Sequence, residues 1–483
     1  MSTENGSRHG NNVILETAKR LPRGIMATPR TVSASGEYLW KGSHISPPPW
    51  EDNPSVAVLT LYPPEVIGGV SDIVNQEIEY FKRHGHKTLK ITPRFSKDSE
   101  PWNEEDSMSL GYAIHGNHGR WGTDSWYART DHTRRGGFEM EKALKVLSEY
   151  NWIECHGASM YEHGISLALA RGLAQVIKPN PNMIFTETQH PMTSVENLKN
   201  YIALDEIKRF IPLTDVSFVN SIEMQELFQS VYKERFYIVP NPVDTKKFDP
   251  NGEKIKGFGD VNFDDEKVNM LYLGRIEDRK GVMTALEAVS IVRKDNPEID
   301  LRFIIAGSGP DATITQQKAE ELQIDDMTVF MGRVSEEDKP KLYRTADFCY
   351  FPAKYGESFG DVLLEAWASG KAVIAGPAFS PNLVRHTKEG YLLGTDSPYE
   401  GAYFVQKLAS DADLRRNMGG AGREYSLRFD GEVVFGMREN IVEDVRKQKA
   451  ERLMKNATPY FLGGINDIGD VLQEKALQLL SLR

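Results

Sequence analysis

Short β-like runs alternate with helical patterns along most of the chain, and they do so in two series. The first series is VAVLTL (56–61), TLKIT (88–92), WIECH (152–156), MIFTE (183–187), VSFVN (216–220) and YIVP (237–240). The second is VNMLYLG (268–274), LRFIIAG (301–307), TVFMG (328–332), FCYFP (348–352), KAVIAG (371–376) and YLLG (391–394). Runs this short and apolar, separated by helical stretches, call for parallel strands covered by helices. A Pro/Gly/Asp-rich break, NPVDTKKFDPNGEK (241–254), lies between the series, and segments of that kind mark domain boundaries. The pattern predicts two doubly wound α/β domains in tandem, and 483 residues are enough to build a core in each. Residues 1–53 are polar and irregular, end in a Pro-rich stretch, and read as an N-terminal extension whose Trp40 and Trp50 mark a docked later part. The domains then fall at 54–245 and 246–440, followed by a helical tail at 441–483 that ends in the amphipathic DVLQEKALQLLSLR.

Composition narrows the function classes. A net charge of -11 argues against bulk electrostatic binding to nucleic acid. The two cysteines, Cys155 and Cys349, are far apart and lack metal-ligand spacing, so neither a disulfide framework nor a zinc site is implied. The start, MSTENGSRHGNN, has no apolar core of the signal-peptide kind, and no stretch reads as a transmembrane span. Cytoplasmic residence is the default expectation.

The chemistry-bearing residues gather at strand ends. YGESFGDVLLEAWASGKAVIAG (355–376) carries Glu357 in the turn after a buried strand and Glu365 inside the helix that begins near Asp361 and stops at Gly370. Helical side chains lean toward the N-terminus, so Glu365 can point into the crevice that Glu357 borders. Both then face the carboxyl end of a parallel strand, where open α/β sheets bind ligands. Upstream, GRIEDRKG (274–281) follows a strand and places Arg275 and Lys280 before a helix starting near Val282. Two cations beside a helix N-terminus suit a diphosphate, although a solvated surface pair explains the same spacing. In the first half, Gly68 and Gly69 separate a strand from a helix and allow close backbone approach to an anion, or simply make a turn. The GSGPDA run (307–312) matches a dinucleotide fingerprint in outline. The next strand ends in Gly332-Arg333 rather than in the acid that holds a nicotinamide ribose, which removes most of that reading. Asp411 and Asp413 precede a helical segment and read as cap and first-turn residues rather than metal ligands.

Taken together, GRIEDRKG, IIAGSGP, VFMGRVSEEDKPKLYRTAD, the 357–376 segment and DADLRRNMGGAGREY resemble the family-four retaining glycosyltransferases (glycosyl transferases group 1). That family has the GT-B fold, in which two Rossmann-like domains face a central cleft. The resemblance spans roughly residues 55–440, with the Gly68-Gly69 loop in the first domain and VPNPVDTKKF (239–248) similar to the interdomain segment. It implies that Glu357 lies near the donor sugar and Glu365 on the ribose hydroxyls, with Arg275 and Lys280 on the diphosphate. It further implies that backbone N–H groups of Phe359 to Asp361, Gly360 among them, add to that stabilisation, and that Arg333 and Val334 border the base. Gly68 and Gly69 join the donor contacts. The family often places a histidine at a central strand end of the first domain; His190 matches that position better than His156, which remains a candidate acceptor contact. Pro242 stands where the family usually has glycine and Ala372 where proline is common.

The implied activity is retaining transfer of a hexose from a UDP-, GDP- or ADP-sugar to a glycan, lipid-linked or small-molecule acceptor, without a metal or cofactor. Peripheral membrane association is compatible with a lipid-linked acceptor, and no stable nucleic-acid complex is expected. Residues 115–135, with Arg120, Arg134 and several aromatics, read either as an acceptor loop or as a solvated loop against the N-terminal extension. Competing readings are a nucleotide-sugar epimerase of similar two-domain fold, a DNA-modifying glycosyltransferase and a sugar-nucleotide-binding protein without turnover.

Overall fold

The computed structural model describes residues 54–60, 69–94, 103–104, 107–112, 137–138, 149–156, 183–188, 211, 214–263, 266–357 and 359–461, with the backbone alone for 69, 93–94, 103–112, 137–138 and 450–461. The first sheet contains β1 (Val56–Thr60), β2 (Thr88–Arg94), β3 (Asn103–Glu104), β4 (Ser107–Tyr112), β5 (Gly137–Phe138), β6 (Trp152–His156), β7 (Ile184–Thr188), β8 (Val216–Val219) and β9 (Phe236–Ile238). Its order is β3-β4-β2-β1-β6-β7-β8-β9, with β5 on β4. Every described pair from β4 across to β9 is parallel, while β3 and β5 pair antiparallel at one edge. The six expected strands of this half are all present. The edge strands β3 to β5 were not expected from sequence, because NE and GF are only two residues long and SMSLGY mixes serines and a glycine among its apolar residues, so none carries an apolar run.

A hairpin of β10 (Gly257–Phe258) and β11 (Val261–Asn262) separates the sheets. The second sheet holds β12 (Val268–Leu273), β13 (Leu301–Ala306), β14 (Thr328–Gly332), β15 (Phe348–Phe351), β16 (Ala372–Ala375) and β17 (Gly390–Leu392), all parallel. The order β14-β13-β12-β15-β16-β17 is the doubly wound Rossmann order, with its reversal between β12 and β15. Successive strand residues face opposite sides. Leu271, Ile304, Cys349 and Val373 join one buried cluster, and Met270, Phe303, Ile305, Phe348 and Ile374 join the other. The first cluster packs beneath α5 (Lys339–Thr345), α6 (Asp361–Ala368) and α8 (Ala412–Ser426); the second lies beneath α3 (Val282–Asp295), α4 (Ala312–Glu321) and α7 (Pro398–Ser410). Helix α6 ends as expected at Gly370, which adopts φ 71°. The Gly370 N–H donates to the Trp367 carbonyl at 2.8 Å and the Lys371 N–H to Ala366 at 2.9 Å, a Schellman cap.

The chain crosses between the halves twice. On the outward crossing the Val243 N–H donates to the Phe429 carbonyl at 2.7 Å, and Thr245 bonds to Asp430, so outgoing and returning segments lie side by side. The return leads into α9 (Gly431–Phe461), which runs past residue 440 as one continuous helix and packs on α1 (Gly69–Arg83) of the first half. Helix α2 (Ile222–Val231) completes the described helices of that half.

The α1–α9 contact is ionic as well as apolar. Arg438 of α9 is buried and sits 2.7 Å from Glu77 of α1 and 3.3 Å from Glu154 of β6. His156 bonds the second Glu77 oxygen at 2.6 Å, while Tyr80 donates to Glu439 at 2.9 Å and His86 lies 3.3 Å from it. Burial works to raise the Glu77 pKa, but Arg438 and His156 outweigh it and hold the carboxyl below its usual range. Burial raises Glu154 despite Arg438, and Glu77 adds to the rise. One guanidinium therefore serves two carboxyls. Replacing Arg438 by Met leaves them buried together with only His156 beside them, and urea unfolding is expected to register a loss of about 3–5 kcal/mol.

Candidate functional site

The reversal between β12 and β15 splays the loops that leave these two strands, and both loops carry the expected polar residues. From the β12 side comes 274–281. Tyr272 donates its hydroxyl to the Arg275 carbonyl at 2.5 Å, which holds the start of that loop over the strand end. Arg275 projects with its side chain 42% exposed and its Nε 3.4 Å from Glu277. Glu277 is buried and pairs with Arg279 at 2.7 Å. From the β15 side comes 352–360. The Lys354 N–H donates to the Arg279 carbonyl at 2.8 Å, stitching the loops together.

Glu357 closes the arrangement. Its Oε1 accepts from Lys280 and lies 3.3 Å from Arg279 Nη1, while Arg279 also donates to the Gly356 carbonyl at 3.2 Å. Arg275, Arg279 and Lys280 thus stand around Glu277 and Glu357 at the mouth of the crevice, and three cations exceed two carboxylates. A site with surplus positive charge and a partly exposed Arg275 is suited to a multiply charged oxyanion. Arg279 was missed by the sequence reading, although its neighbour Lys280 was chosen; the signal was the adjacent DRK in a loop too short to point its basic residues apart.

Beside this mouth, α6 begins at Gly360, whose φ of 113° is open to glycine and strained for other residues. A Cβ there would lie 2.7 Å from the Phe379 ring, so the position is closed sterically as well. Asp361 follows in the first turn and accepts from Asn241 of the crossing segment at 2.7 Å. Burial raises its carboxyl, and the Asn241 bond opposes that rise. One turn on, Glu365 accepts from the Tyr343 hydroxyl at 2.9 Å and lies 3.4 Å from Lys339. Burial raises the Glu365 pKa, with Lys339 and then Tyr343 acting against it. Glu365 and Asp361 line a cavity of about 200 Å³ between the halves, across from Asp72, Asn75 and Gln76 of α1 and beside Pro242.

Arg333 is exposed just past the end of β14, and Val334 is half-buried against the core cluster of that side. The decoy glycines serve packing: a Cβ on Gly307 would meet the Gly274 carbonyl oxygen at 1.8 Å, and one on Gly309 the Ile276 oxygen at 2.1 Å. They let the β13 loop lie flat on the β12 loop that carries Arg275. Asp411 is a cap, as expected, accepting from the Leu414 N–H at 2.8 Å. His156 does stand at a strand end, paired in register with Thr60, but it is fully buried in the Glu77–Arg438 network and braces α1 instead of facing the cavity. Gly69 is the first residue of α1. Gly68, His190, Arg120 and Arg134 lie outside the described residues.

Comparison with known proteins gives the same answer for fold and family. Residues 254–425 match the family described as Glycosyl transferases group 1. A protein named as an uncharacterized glycosyltransferase of Methanocaldococcus jannaschii is 23% identical over 375 residues, 74% of this chain and 90% of the relative. D-inositol 3-phosphate glycosyltransferase of Corynebacterium kroppenstedtii is 33% identical over 184 residues, a match that spans 36% of this chain and 40% of that enzyme. Among solved structures, Anabaena HepE in complex with UDP superposes with a TM-score of 0.56 at 16% identity, over 83% of this chain and all of that one. Sucrose-phosphate synthase from Thermosynechococcus elongatus does so with a TM-score of 0.57 at 17% identity, over 85% of this chain and 100% of the other. The two halves therefore form a GT-B fold, as the sequence led one to expect. The match to the group 1 glycosyltransferases lies within the second half, over residues 254–425.

Because Gly360 sets the entry of α6, Gly360→Ala is expected to lower stability by about 1–3 kcal/mol through strain at positive φ together with the Phe379 clash. Thermal denaturation monitored by circular dichroism measures this directly.

Proposed function

We propose that the protein transfers a hexose from a nucleoside-diphosphate sugar to an acceptor, with retention of anomeric configuration and without a metal ion. The observation that carries this reading is the meeting of Arg275, Arg279 and Lys280 with Glu357 where the strand order reverses, next to Glu365 in the cavity between the halves. In this reading Arg275 and Lys280 bind the diphosphate and stabilise the negative charge that grows on it as the glycosidic bond breaks. The N–H groups at Phe359 to Asp361, where α6 begins, add donors to the same oxygens. Glu365 takes the ribose hydroxyls, Arg333 and Val334 border the base, and the Gly68-Gly69 turn approaches the donor from the first half.

Glu357 is already held by Lys280 and Arg279, so an incoming diphosphate competes for those cations and frees the carboxylate to accept sugar hydroxyls. His190 would stand near the transferred sugar. The acceptor, a glycan, a lipid-linked sugar or a small molecule, enters from the first half, with Arg120 and Arg134 as its contacts. Closure of the halves excludes water and favours transfer over hydrolysis. HepE is described in complex with UDP and with UDP-glucose, and that supports a nucleotide sugar as donor. Among the described residues no helix is long and apolar enough to cross a membrane, in keeping with a proposed cytoplasmic site of action.

The test is a thermal-shift screen with UDP-, GDP- and ADP-hexoses, followed by turnover with the stabilising donor in EDTA and proton NMR of the product anomer. One donor should stabilise the protein, and Glu357→Gln should lower turnover by about 100-fold or more. Inversion at the anomeric carbon, or activity that EDTA abolishes, would sink the mechanism as stated. An isomerised sugar nucleotide formed without acceptor would move the protein to the epimerases.

A further inference from the structure

Helix α5 carries Lys339 and Tyr343 one turn apart on the same face, and both reach Glu365 on α6. They divide its carboxylate between them: Lys339 Nζ lies 3.4 Å from Oε1, and the Tyr343 hydroxyl donates to Oε2 at 2.9 Å. Lys339 is anchored in turn by Glu336 at 2.8 Å, and Tyr343 is buried edge-on against Phe248 with ring centroids 5.8 Å apart. Neither donor can swing away without breaking these contacts.

We infer that Lys339 is a positioning residue that fixes the Glu365 carboxylate so that its remaining acceptor sites take the two ribose hydroxyls of a nucleoside diphosphate. The inference rests on the reading of Glu365 given above. An ionised carboxylate offers about four acceptor sites. Lys339 and Tyr343 occupy one on each oxygen, which leaves one on each for a vicinal diol. A protonated carboxyl would turn one of those acceptors into a donor and spoil the match.

The surroundings make that protonation a real threat. Glu365 is only 14% exposed, Asp361 lies one turn back on its own helix, Glu336 precedes α5, and Asp72 stands on α1 across the cavity. Lys247 of the crossing segment pairs with Glu336 at 3.6 Å, so it serves that carboxylate rather than Glu365. Burial works to lower the Lys339 pKa, but Glu365, Glu336 and Asp72 together raise it, so the ammonium persists through the neutral range. Removing it lets burial and the neighbouring carboxylates push Glu365 further up. Diol binding is then lost as pH falls toward that raised value and returns as pH rises above it.

The experiment is calorimetric titration of UDP, GDP and ADP, each beside its 2′-deoxy counterpart, into wild type, Lys339→Met, Lys339→Arg and Glu365→Ala between pH 6 and 8.5. For the nucleotide that binds, wild type should prefer the ribo form, and Lys339→Met should weaken that form about tenfold at neutral pH while barely changing the deoxy form. Lys339→Arg should restore the preference, and the Lys339→Met deficit should shrink as pH rises. If Glu365→Ala erases the preference and Lys339→Met keeps it, the positioning role is wrong and the donor reading stands. If Glu365→Ala also keeps it, the ribose reading of Glu365 fails and takes this inference with it. Lys339→Gln, closer in length, carries the same test should the Met variant fail to fold by circular dichroism.

Discussion

The direct pairing of β12 with β15, Met270 beside Phe348 and Leu271 beside Cys349, is the constraint on which the candidate site depends. Strands β13 and β14 follow β12 to one side, and β15 to β17 build out on the other, so connections leave the β12–β15 boundary in opposite directions. Neither loop covers the gap between them. Arg275, Arg279 and Lys280 stand on one lip and Glu357 on the other, drawn together by charge. The β13 loop is packed onto the β12 lip backbone to backbone, at a closeness that only glycine at 307 and 309 permits. The charged groups therefore project from a stiff base, which suits preorganised electrostatics better than a mobile loop would.

A second constraint acts between the halves. The chain leaves the first half near Asn241 and returns near Asp430, and the two segments bond to each other. Asn241 also binds Asp361 at the start of α6, so the outgoing crossing touches the site itself. On return, α9 lies against α1 and inserts Arg438 between Glu77 and Glu154. Helix α1 is the element that presents Asp72, Asn75 and Gln76 to the cavity. The position of one cavity wall is thereby set by a residue more than 350 positions away in sequence. A buried pair of this kind adds little net stability compared with apolar packing, yet it is costly to break, and so it specifies where α1 sits.

Much of this was legible in the sequence. All twelve strands read from apolar runs are present, because a strand buried on both faces is mostly apolar along its length and that signal is local. The cap at Gly370, the helix starts at Val282 and Asp361, and the gathering of Arg275, Lys280 and Glu357 at strand ends were equally local matters of turn chemistry and spacing. Where sequence reasoning failed, the decisive contacts were long-range. His156 has the same local setting as a catalytic strand-end histidine, and only the arrival of Glu77 and Arg438 turns it into a brace. Arg279 reads as one more basic residue until the β15 loop brings Glu357 and the Gly356 carbonyl to it. Lys339 was not singled out in the sequence, because its partner Glu365 arrives only when α6 is laid beside α5.

By itself, then, the sequence determined the two-domain α/β architecture, the order of the twelve apolar strands along the chain, and the residues from which a diphosphate-sized anion site could be built. Those follow from periodicity and turn residues, which act within a few positions. Which cations face which carboxylates, which histidine is buried, and which helix from the far end of the chain completes the first half were decided by the tertiary structure alone. The reason is physical: a charge in the interior is tolerated only when a partner arrives with it, and the identity of that partner is a property of the packing, not of the neighbouring residues.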